Sequence, residues 1–268
     1  MQFFDVLGYI IALLIGVVLG LMGGGGSILT VPLLVYVLGY SPVVATAYSL
    51  FVVGTSSVVG VIQKHKENLV DFKTGLLFTF PSFIAVYLSR RFVVPNIPEH
   101  IATIGSYTLI KDMAIMVFFA IIMLIAAASM INTKEKSNAR YTKQAYYKTF
   151  VQGLAIGTIT GLIGAGGGFL YVPALVLWAG LPMKKAVGTS LVIVAFNAII
   201  GFVGDLHHLI IDWPFLLSFS LLTIIGILIG GHASKRIPSH KLKKVFGWFV
   251  LFMAIYILLK EIAQNPLL

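Results

Sequence analysis

The chain has 268 residues, of which 59% are hydrophobic and only 10% carry a charge. A soluble globular domain carries about 25% charged residues, so water is excluded as the solvent for most of this surface. The formal net charge of +10 lies almost entirely in short loops between apolar runs, which is typical of membrane orientation rather than of nucleic-acid binding. The composition predicts an integral membrane protein and excludes a soluble enzyme.

Five apolar segments follow one another in the first half of the chain. They are Phe3 to Met22, Ile28 to Leu38, Val43 to Ile62, Phe72 to Leu88 and Ala114 to Ile131. An α-helix needs about 20 apolar residues to cross about 30 Å of hydrocarbon, so most of these segments have a suitable length. The second segment is too short to cross comfortably, and we expect it to be a broken or re-entrant helix.

The second half of the chain repeats this order. Its segments run from about Thr149 to Ile163, Phe169 to Ala179, Ala186 to Val203, Trp213 to Gly230 and Val245 to Leu259. A shift of 141 positions places GLMGGGGSILTVP, which begins at Gly20, on GLIGAGGGFLYVP, which begins at Gly161. We therefore predict a first transmembrane repeat at 1–131, a cytoplasmic linker at 132–148 and a second transmembrane repeat at 149–268.

The distribution of basic residues predicts how the two halves are oriented. If the halves are inverted, 15 of the 19 Lys and Arg residues face one side, whereas a parallel arrangement divides them 9 to 10. The positive-inside rule therefore favours an all-α polytopic fold of two inverted repeats, with both termini outside. The four exceptions on the outer side are Arg90, Arg91, Lys111 and Lys260. The first three either attract anions at an exit or contact lipid head groups.

In both halves a glycine run precedes the short segment. Glycine lets the backbone approach a ligand closely, and a helix start offers unpaired N–H groups and a partial positive charge. We hypothesise that the two runs bind one small anion between the halves. The predicted ligand residues in these runs are Gly23, Gly24, Gly25, Gly26, Ser27, Gly164, Ala165, Gly166, Gly167 and Gly168. The alternative is that these glycines only allow close helix packing.

The third segment of each half carries small polar side chains at matching depth. They are Ser49, Thr55, Ser56 and Ser57 in the first half, and Thr189, Ser190 and Asn197 in the second. These groups can complete an oxyanion shell, although Ser and Thr in membrane helices more often bond to their own backbone or to a neighbouring helix. Ser49 and Ser190 occupy equivalent positions, and we predict that these two bind the anion.

The remaining polar residues allow structural interpretations. Asp71 and Asp212 each precede an apolar segment and are predicted to cap a helix. Asp205, His207 and His208 lie in an outer loop, where they form either a proton or metal-ion site or an ordinary polar loop. The chain has no cysteine, and its apolar segments contain no HExxH motif, catalytic triad or carboxylate pair. We therefore expect no enzymatic activity, no cofactor and no bound metal.

The two glycine-rich blocks resemble the TauE/SafE sulfite exporter family, also called the TSUP family of anion permeases. The blocks read GLMGGGGSILTVPLLVYVLGYSPVVATAYSL and GLIGAGGGFLYVPALVLWAGLPMKKAVGTSL, and the resemblance covers nearly the entire chain, including SKRIPSHKLKKVFGWFVLF. It implies passage of sulfite, or of small organosulfur and carboxylate anions, across the cytoplasmic membrane of a prokaryote. Distantly similar thiosulfate carriers rely on cysteines, which this chain lacks.

We therefore expect a multi-pass permease of the cell membrane that moves sulfite or an organosulfur anion such as a sulfonate, by alternating access at a central site between the repeats. An inside-negative membrane drives anions outward by about 2.3 kcal/mol per charge at 100 mV, so export needs no coupled ion. Uptake would need H⁺ or Na⁺. Besides this anion and membrane lipid, a homo-oligomer is compatible with the sequence, and nucleic acid is not an expected partner. The rival classes are a divalent metal-cation transporter and a non-transporting membrane scaffold.

Overall fold

The fold was analysed in a computed structural model, which describes residues 2–23, 27–104, 107–132, 146–164, 166–206 and 209–264. The helices of the first half are α1 (Gln2–Met22), α2 (Ser27–Tyr36), α3 (Pro42–Lys66), α4 (Phe72–Leu88), α5 (Val94–Asn96) and α6 (Lys111–Asn132). Those of the second half are α7 (Tyr146–Ile163), α8 (Gly168–Leu177), α9 (Met183–Asp205), α10 (Trp213–Ser234) and α11 (Ser239–Gln264). Each of the ten predicted apolar segments forms a helix, and α4 has the predicted bounds.

The stretch between α4 and α6 differs from the apolar pattern. Helix α4 continues through a π-helical turn at Ser89–Val93 into the short helix α5. Strands β1 (His100–Ile104) and β2 (Tyr107–Ile110) then pair as an antiparallel hairpin. Neither feature was predicted from the sequence, because both are shorter than the window in which hydrophobic periodicity is recognised.

The protein is a multi-pass membrane protein. Six helical stretches within the described residues are long and apolar enough to cross a bilayer. They are Pro42–Lys66, Phe72–Asn96, Lys111–Asn132, Met183–Asp205, Trp213–Ser234 and Ser239–Ala263. Large apolar side chains also point outward from these helices, with Phe252 69% and Ile125 63% exposed. An outer surface with this many exposed large apolar side chains requires lipid as its solvent.

Equivalent helices of the two halves make equivalent contacts. Helix α1 packs along α10, α7 packs along α4, and α3 crosses α9. The first two contacts are so close that a Cβ on Gly16 would lie 2.1 Å from the carbonyl oxygen of Thr223, and one on Gly157 would lie 2.5 Å from that of Ser82. These two residue pairs are related by the 141-residue shift. The halves thus exchange equivalent contacts, while their orientation in a membrane stays a prediction.

Helices α2 and α8 are short, as expected from the sequence. Each has 10 residues, which corresponds to about 15 Å, or about half of the hydrocarbon core. The chain turns after them at Gly39 and Gly180, whose φ angles are 74° and 68°. Because left-handed backbone is easily adopted only by glycine, these residues end the short helices and return the chain to a long one.

Asp71 and Asp212 are confirmed as helix caps. Each carboxylate accepts a hydrogen bond from the backbone N–H three residues later, at 3.1 Å and 3.2 Å. Their own backbone N–H groups donate across the halves, to Thr189 Oγ1 at 2.9 Å and to the Tyr48 hydroxyl at 2.8 Å. The start of each fourth helix is therefore held by the third helix of the other half.

Candidate functional site

The two glycine runs connect α1 to α2 and α7 to α8. In the second run Gly164, Gly166 and Gly167 have φ angles of 71°, 65° and 73°, so the backbone reverses there in a conformation that side chains disfavour. Helix α8 begins directly after this run, and its first N–H groups have no partner within the helix. Of the predicted ligands, Gly24, Gly25, Gly26, Ala165 and the side chain of Ser27 lie outside the described residues.

Each glycine run packs against the third helix of the other half. A Cβ on Gly23 would lie 2.8 Å from the Oγ of Ser190 on α9, so the structure brings these two predicted ligands together. A Cβ on Gly166 would lie 3.1 Å from Val53 on α3 and 3.5 Å from Val194 on α9. The second run therefore lies over the point where α3 and α9 cross.

Gly164 lies beside a buried arginine. A Cβ on Gly164 would lie 2.3 Å from the Cβ of Thr46 and 3.0 Å from Nη1 of Arg90. Arg90 belongs to the π-helical turn after α4 and is fully buried. The sequence placed Arg90 at an exit or among lipid head groups, whereas in the structure it lies inside the protein against the glycine run.

Arg90 is paired with Asp205 at the end of α9. Its Nε donates to both carboxylate oxygens at 2.9 Å, and its Nη2 donates to Oδ2 and, at 3.1 Å, to Thr46 Oγ1. Asp205 is only 6% exposed. Burying two charges is costly unless each is paired and hydrogen-bonded, and the bidentate geometry meets that requirement for the carboxylate.

One nitrogen of the guanidinium differs from the other two in its hydrogen bonding. Nη1 of Arg90 is buried and has no hydrogen-bond partner within the described part of the chain. An unpaired N–H on a buried cation costs more than one on a neutral group, so an acceptor placed beside Gly164 would be stabilised there. An anionic oxygen is the acceptor that gains most from this position.

The two predicted serines differ in their surroundings. Ser190 Oγ donates to the carbonyl oxygen of Val187 at 2.8 Å, so it is satisfied by its own helix. Ser49 is fully buried, and its Oγ has no hydrogen-bond partner among the described residues. Three further serine hydroxyls share this property. They belong to Ser56, Ser57 and Ser220.

Asn197, the equivalent of Ser56 in the second half, belongs to a complete hydrogen-bond network. Its Nδ2 donates to the hydroxyls of Tyr171 at 2.7 Å and Ser82 at 2.8 Å. The Ser82 hydroxyl in turn bonds to the carbonyl oxygen of Thr79 at 3.0 Å. This network joins α8, α9 and α4, so it fixes the short helix of the second half to both neighbours.

A second buried cation lies near the other end of α3. Lys64 is 2% exposed, and its Nζ donates to Ser234 Oγ at 2.6 Å, to the carbonyl oxygen of Gly231 at 3.1 Å and to Glu67 at 3.3 Å. Lys235 also pairs with Glu67 at 3.3 Å. Lys64 and Asp205 are equivalent under the 141-residue shift, and each joins a third helix to residues at the end of the other half's fourth helix.

The sequence did not identify the Arg90–Asp205 pair, although it placed both residues on the outer side. Asp205 was instead interpreted together with His207 and His208, either as a proton or metal-ion site or as an ordinary polar loop. Both histidines lie outside the described residues. Over the part that is described, no group of three His, Asp or Glu side chains is arranged to hold a metal ion.

Comparisons with known proteins give one consistent result. A family model described as "Sulfite exporter TauE/SafE" matches residues 8–257. A probable membrane transporter protein of Xylella fastidiosa (strain 9a5c) is 29% identical over 260 residues, covering 94% of each chain. The probable membrane transporter protein YunE of Bacillus subtilis (strain 168) is 27% identical over 272 residues, covering 93% of each chain. No solved structure matches the chain.

Proposed function

Because the chain belongs to the TauE/SafE sulfite exporter family and is a membrane transporter, we propose that it moves a small anion, sulfite or an organosulfur anion such as a sulfonate, out of the cell across the cell membrane. The observation that carries this proposal is the unpartnered Nη1 of Arg90. It lies beside Gly164, where a Cβ would come within 3.0 Å of it, so a glycine is needed for the backbone to approach the guanidinium this closely. A buried guanidinium with a free N–H is suited to an oxyanion and unsuited to a metal cation.

The glycine runs supply the rest of the anion site in this proposal. The start of α8 lies directly after Gly164 to Gly167, and the start of α2 lies after the equivalent run, so two helix N-termini contribute partial positive charge. Discontinuous helices of this kind are common at the substrate sites of transporters. The anion is held between the halves, near the crossing of α3 and α9.

Access to this site alternates between the two sides of the membrane. In the structure, Arg90 and Asp205 hold α4 and α9 together at one end, while Lys64 holds α3 to α10 at the other. In this proposal the Lys64 end faces the cytoplasm, which is the orientation that the positive-inside rule favours. If the Arg90–Asp205 connection breaks while the Lys64 connection is kept, the site opens to the outside. The reverse opens it to the cytoplasm, and the halves rock or slide between these two states.

Export follows from the charge of the substrate. One negative charge gains about 2.3 kcal/mol when it leaves a cell with a membrane potential of 100 mV. This corresponds to a concentration ratio of about fifty at equilibrium. The exporter therefore needs no coupled ion, whereas uptake of the same anion would require H⁺ or Na⁺.

The metal-cation alternative conflicts with the surroundings of Asp205. Arg90 bonds both of its carboxylate oxygens, so the charge that would attract a metal ion is already neutralised. This alternative predicts that the double variant His207→Ala, His208→Ala is inactive. The anion exporter predicts normal flux in that variant.

The first test measures anion flux from proteoliposomes that contain the purified protein, with and without an imposed membrane potential. We expect sulfite or sulfoacetate to leave faster when the interior is negative. Movement of a divalent metal ion in the absence of anion flux would overturn the proposal. A protein that moves no substrate and keeps a stable partner through purification would instead be a scaffold.

A charge placed at a helix start provides a matched pair of variants. Ser27 begins α2 beside the glycine run, whereas Ser41 caps α3 on the exposed surface. Ser27→Asp adds a negative charge where the anion binds and should abolish flux, because like charges repel in a region of low dielectric constant. Ser41→Asp adds the same charge at another helix start and should leave flux intact. Equal flux in the two variants would remove the helix starts from the proposal.

A further inference from the structure

One face of α3 carries polar groups along its whole length. The residues of this face, which we name the α3 seam, are Thr46, Ser49, Ser56, Ser57, Gly60 and Lys64. Ser56 and Ser57 are adjacent, and the other steps are of three, four or seven positions, so at about 100° per residue all six lie on one side of the helix. The eighteen steps from Thr46 to Lys64 correspond to about 27 Å, nearly the thickness of the hydrocarbon core.

The α3 seam faces the second half of the protein. Gly164 lies against Thr46 at one end, and a Cβ on Gly60 would lie 3.0 Å from Leu191 on α9 and 2.6 Å from Ile227 on α10. Arg90 bonds to Thr46, and Lys64 forms the opposite end. A cation therefore lies at each end of the seam, with three buried hydroxyls between them.

Those hydroxyls differ from the other polar groups of α3 in their hydrogen bonding. The Oγ atoms of Ser49, Ser56 and Ser57 lack hydrogen-bond partners among the described residues, and all three side chains are fully buried. By contrast, Thr55 on the same helix donates to the carbonyl oxygen of Phe51 at 2.8 Å. Serine in a helix can satisfy itself in this way, so three that do not are available to a ligand.

On the equivalent face of α9, the polar side chains are either replaced by apolar ones or already hydrogen-bonded. Under the 141-residue shift, Ser57 corresponds to Ala198, Thr46 to Val187 and Ser56 to Asn197. Ser190 bonds to its own helix, and Asn197 bonds to Tyr171 and Ser82. Within the described part of the chain, the unpaired buried donors of these two related helices therefore lie on α3.

We infer that a small oxyanion binds along the α3 seam through the hydroxyls of Ser49, Ser56 and Ser57, while the matching face of α9 is a rigid support that does not bind it. This inference rests on the proposed anion transport and makes its substrate path asymmetric. The anion passes from Lys64 to Arg90 along one helix. The sequence predicts that both Ser49 and Ser190 bind the anion, whereas in this inference only Ser49 does.

Single substitutions test the asymmetry. Ser49→Ala, Ser56→Ala and Ser57→Ala should each lower flux at subsaturating sulfite by about tenfold, which is typical of one lost hydrogen bond to a charged group. Ser190→Ala is the matched control and should keep wild-type flux. Thermal unfolding in detergent separates binding from folding. Without anion the three α3 variants should unfold no earlier than wild type, because they lose an unpaired buried hydroxyl, but sulfite should no longer raise their Tm.

The outcomes distinguish this inference from the proposed function. Wild-type protein that moves no anion overturns both together. Normal flux and a normal sulfite-induced Tm rise in the three α3 variants overturn the inference alone. An equal loss in Ser190→Ala also overturns it, because the path would then be symmetric. The sulfite-induced Tm rise should remain when the sodium of the sulfite salt is replaced by N-methylglucamine. If the rise disappears with sodium, the hydroxyls bind a cation instead.

Thiol labelling gives a second, independent measurement. The chain has no cysteine, so Ser57→Cys and Ala198→Cys each introduce a single thiol at equivalent positions of α3 and α9. We expect an anionic methanethiosulfonate carrying a sulfonate group to modify the α3 thiol at least about tenfold faster, and methanesulfonate to slow that reaction. Equal labelling rates at the two positions, or no protection by methanesulfonate, would contradict a path along α3.

Discussion

Replacing the Arg90–Asp205 pair by apolar side chains separates its structural contribution from its contribution to transport. Both residues are buried, and three nitrogen-to-oxygen contacts are lost when either partner is removed. Removal of one partner leaves the other charge uncompensated, which costs about 3–5 kcal/mol. At about 2–4 °C per kcal/mol for a chain of roughly this length, Asp205→Leu should lower the Tm by about 6–20 °C.

The double variant Arg90→Met, Asp205→Leu should recover most of that stability. Replacing both members of a buried ion pair with packed apolar side chains is often neutral or stabilising by about 1–4 kcal/mol. Transport should not recover, because the buried cation with its free Nη1 is gone. We expect sulfite flux below about 1% of wild type, since losing a charge-assisted contact of about 3 kcal/mol corresponds to a factor of more than a hundred.

The assay combines thermal unfolding of the purified variants with sulfite flux in proteoliposomes. Lys260→Met is the matched control, because it removes one positive charge from the side that the sequence assigns to Arg90 without touching the ion pair. That control should keep both stability and flux. A double variant that transports sulfite at the wild-type rate would refute the assignment of Arg90 to the anion, and an unchanged Tm in Asp205→Leu would refute the energetic reasoning.

Three further predictions concern backbone contacts. Gly164→Ala should abolish flux and lower the Tm, because its φ is 71° and its Cβ would lie 2.3 Å from a threonine side chain. Gly39→Ala is the control: its φ is 74°, but its Cβ would point into open space, so it should cost only about 1 kcal/mol of stability. Gly230→Ala should separate α1 from α10 and destabilise the protein, because its Cβ would lie 2.0 Å from a carbonyl oxygen. Gly8→Ala should be tolerated, because its Cβ would lie 3.5 Å from a leucine side chain, an ordinary contact distance. Asp71→Ala should lose about 1 kcal/mol of stability through its helix cap while wild-type flux per folded protein remains. Thermal unfolding and flux measured on the same preparations check all three, and equal Tm values within either glycine pair would contradict the steric argument.

The sequence predicted the helices well because helix formation here depends on local properties. Apolar runs bounded by polar residues coincide with the long helices, and Asp71 and Asp212 cap them as expected. The short helices also follow from local signals, namely the glycine run before each of them and the glycine after it. These features require only the length of an apolar run and the backbone preference of one residue.

The candidate site was less predictable because it depends on burial and on distant partners. Arg90 and Asp205 are 115 positions apart, and nothing near either of them in the sequence indicates that they meet. Arg90 lies in the π-helical turn that follows α4 and is buried there, and such a turn has no clear sequence signal. The one available signal was the 141-residue shift, which pairs Lys64 with Asp205 and so places opposite charges at equivalent positions.

Helices α3 and α9 are matched in their packing but differ in their polar groups. Equivalent glycines, Gly60 and Gly201, accept equivalent neighbours, so the packing of the two halves remains closely matched. The polar groups do not match: Ser190 and Asn197 of α9 are hydrogen-bonded, whereas three hydroxyls of α3 have no partner among the residues that the structure describes. Packing symmetry allows two related arrangements of the halves to have similar free energies, which alternating access requires. The unmatched polar groups give a single ion one defined path. In the proposed transport cycle, matched packing therefore serves the change between arrangements, and the polar groups of α3 serve binding of the anion.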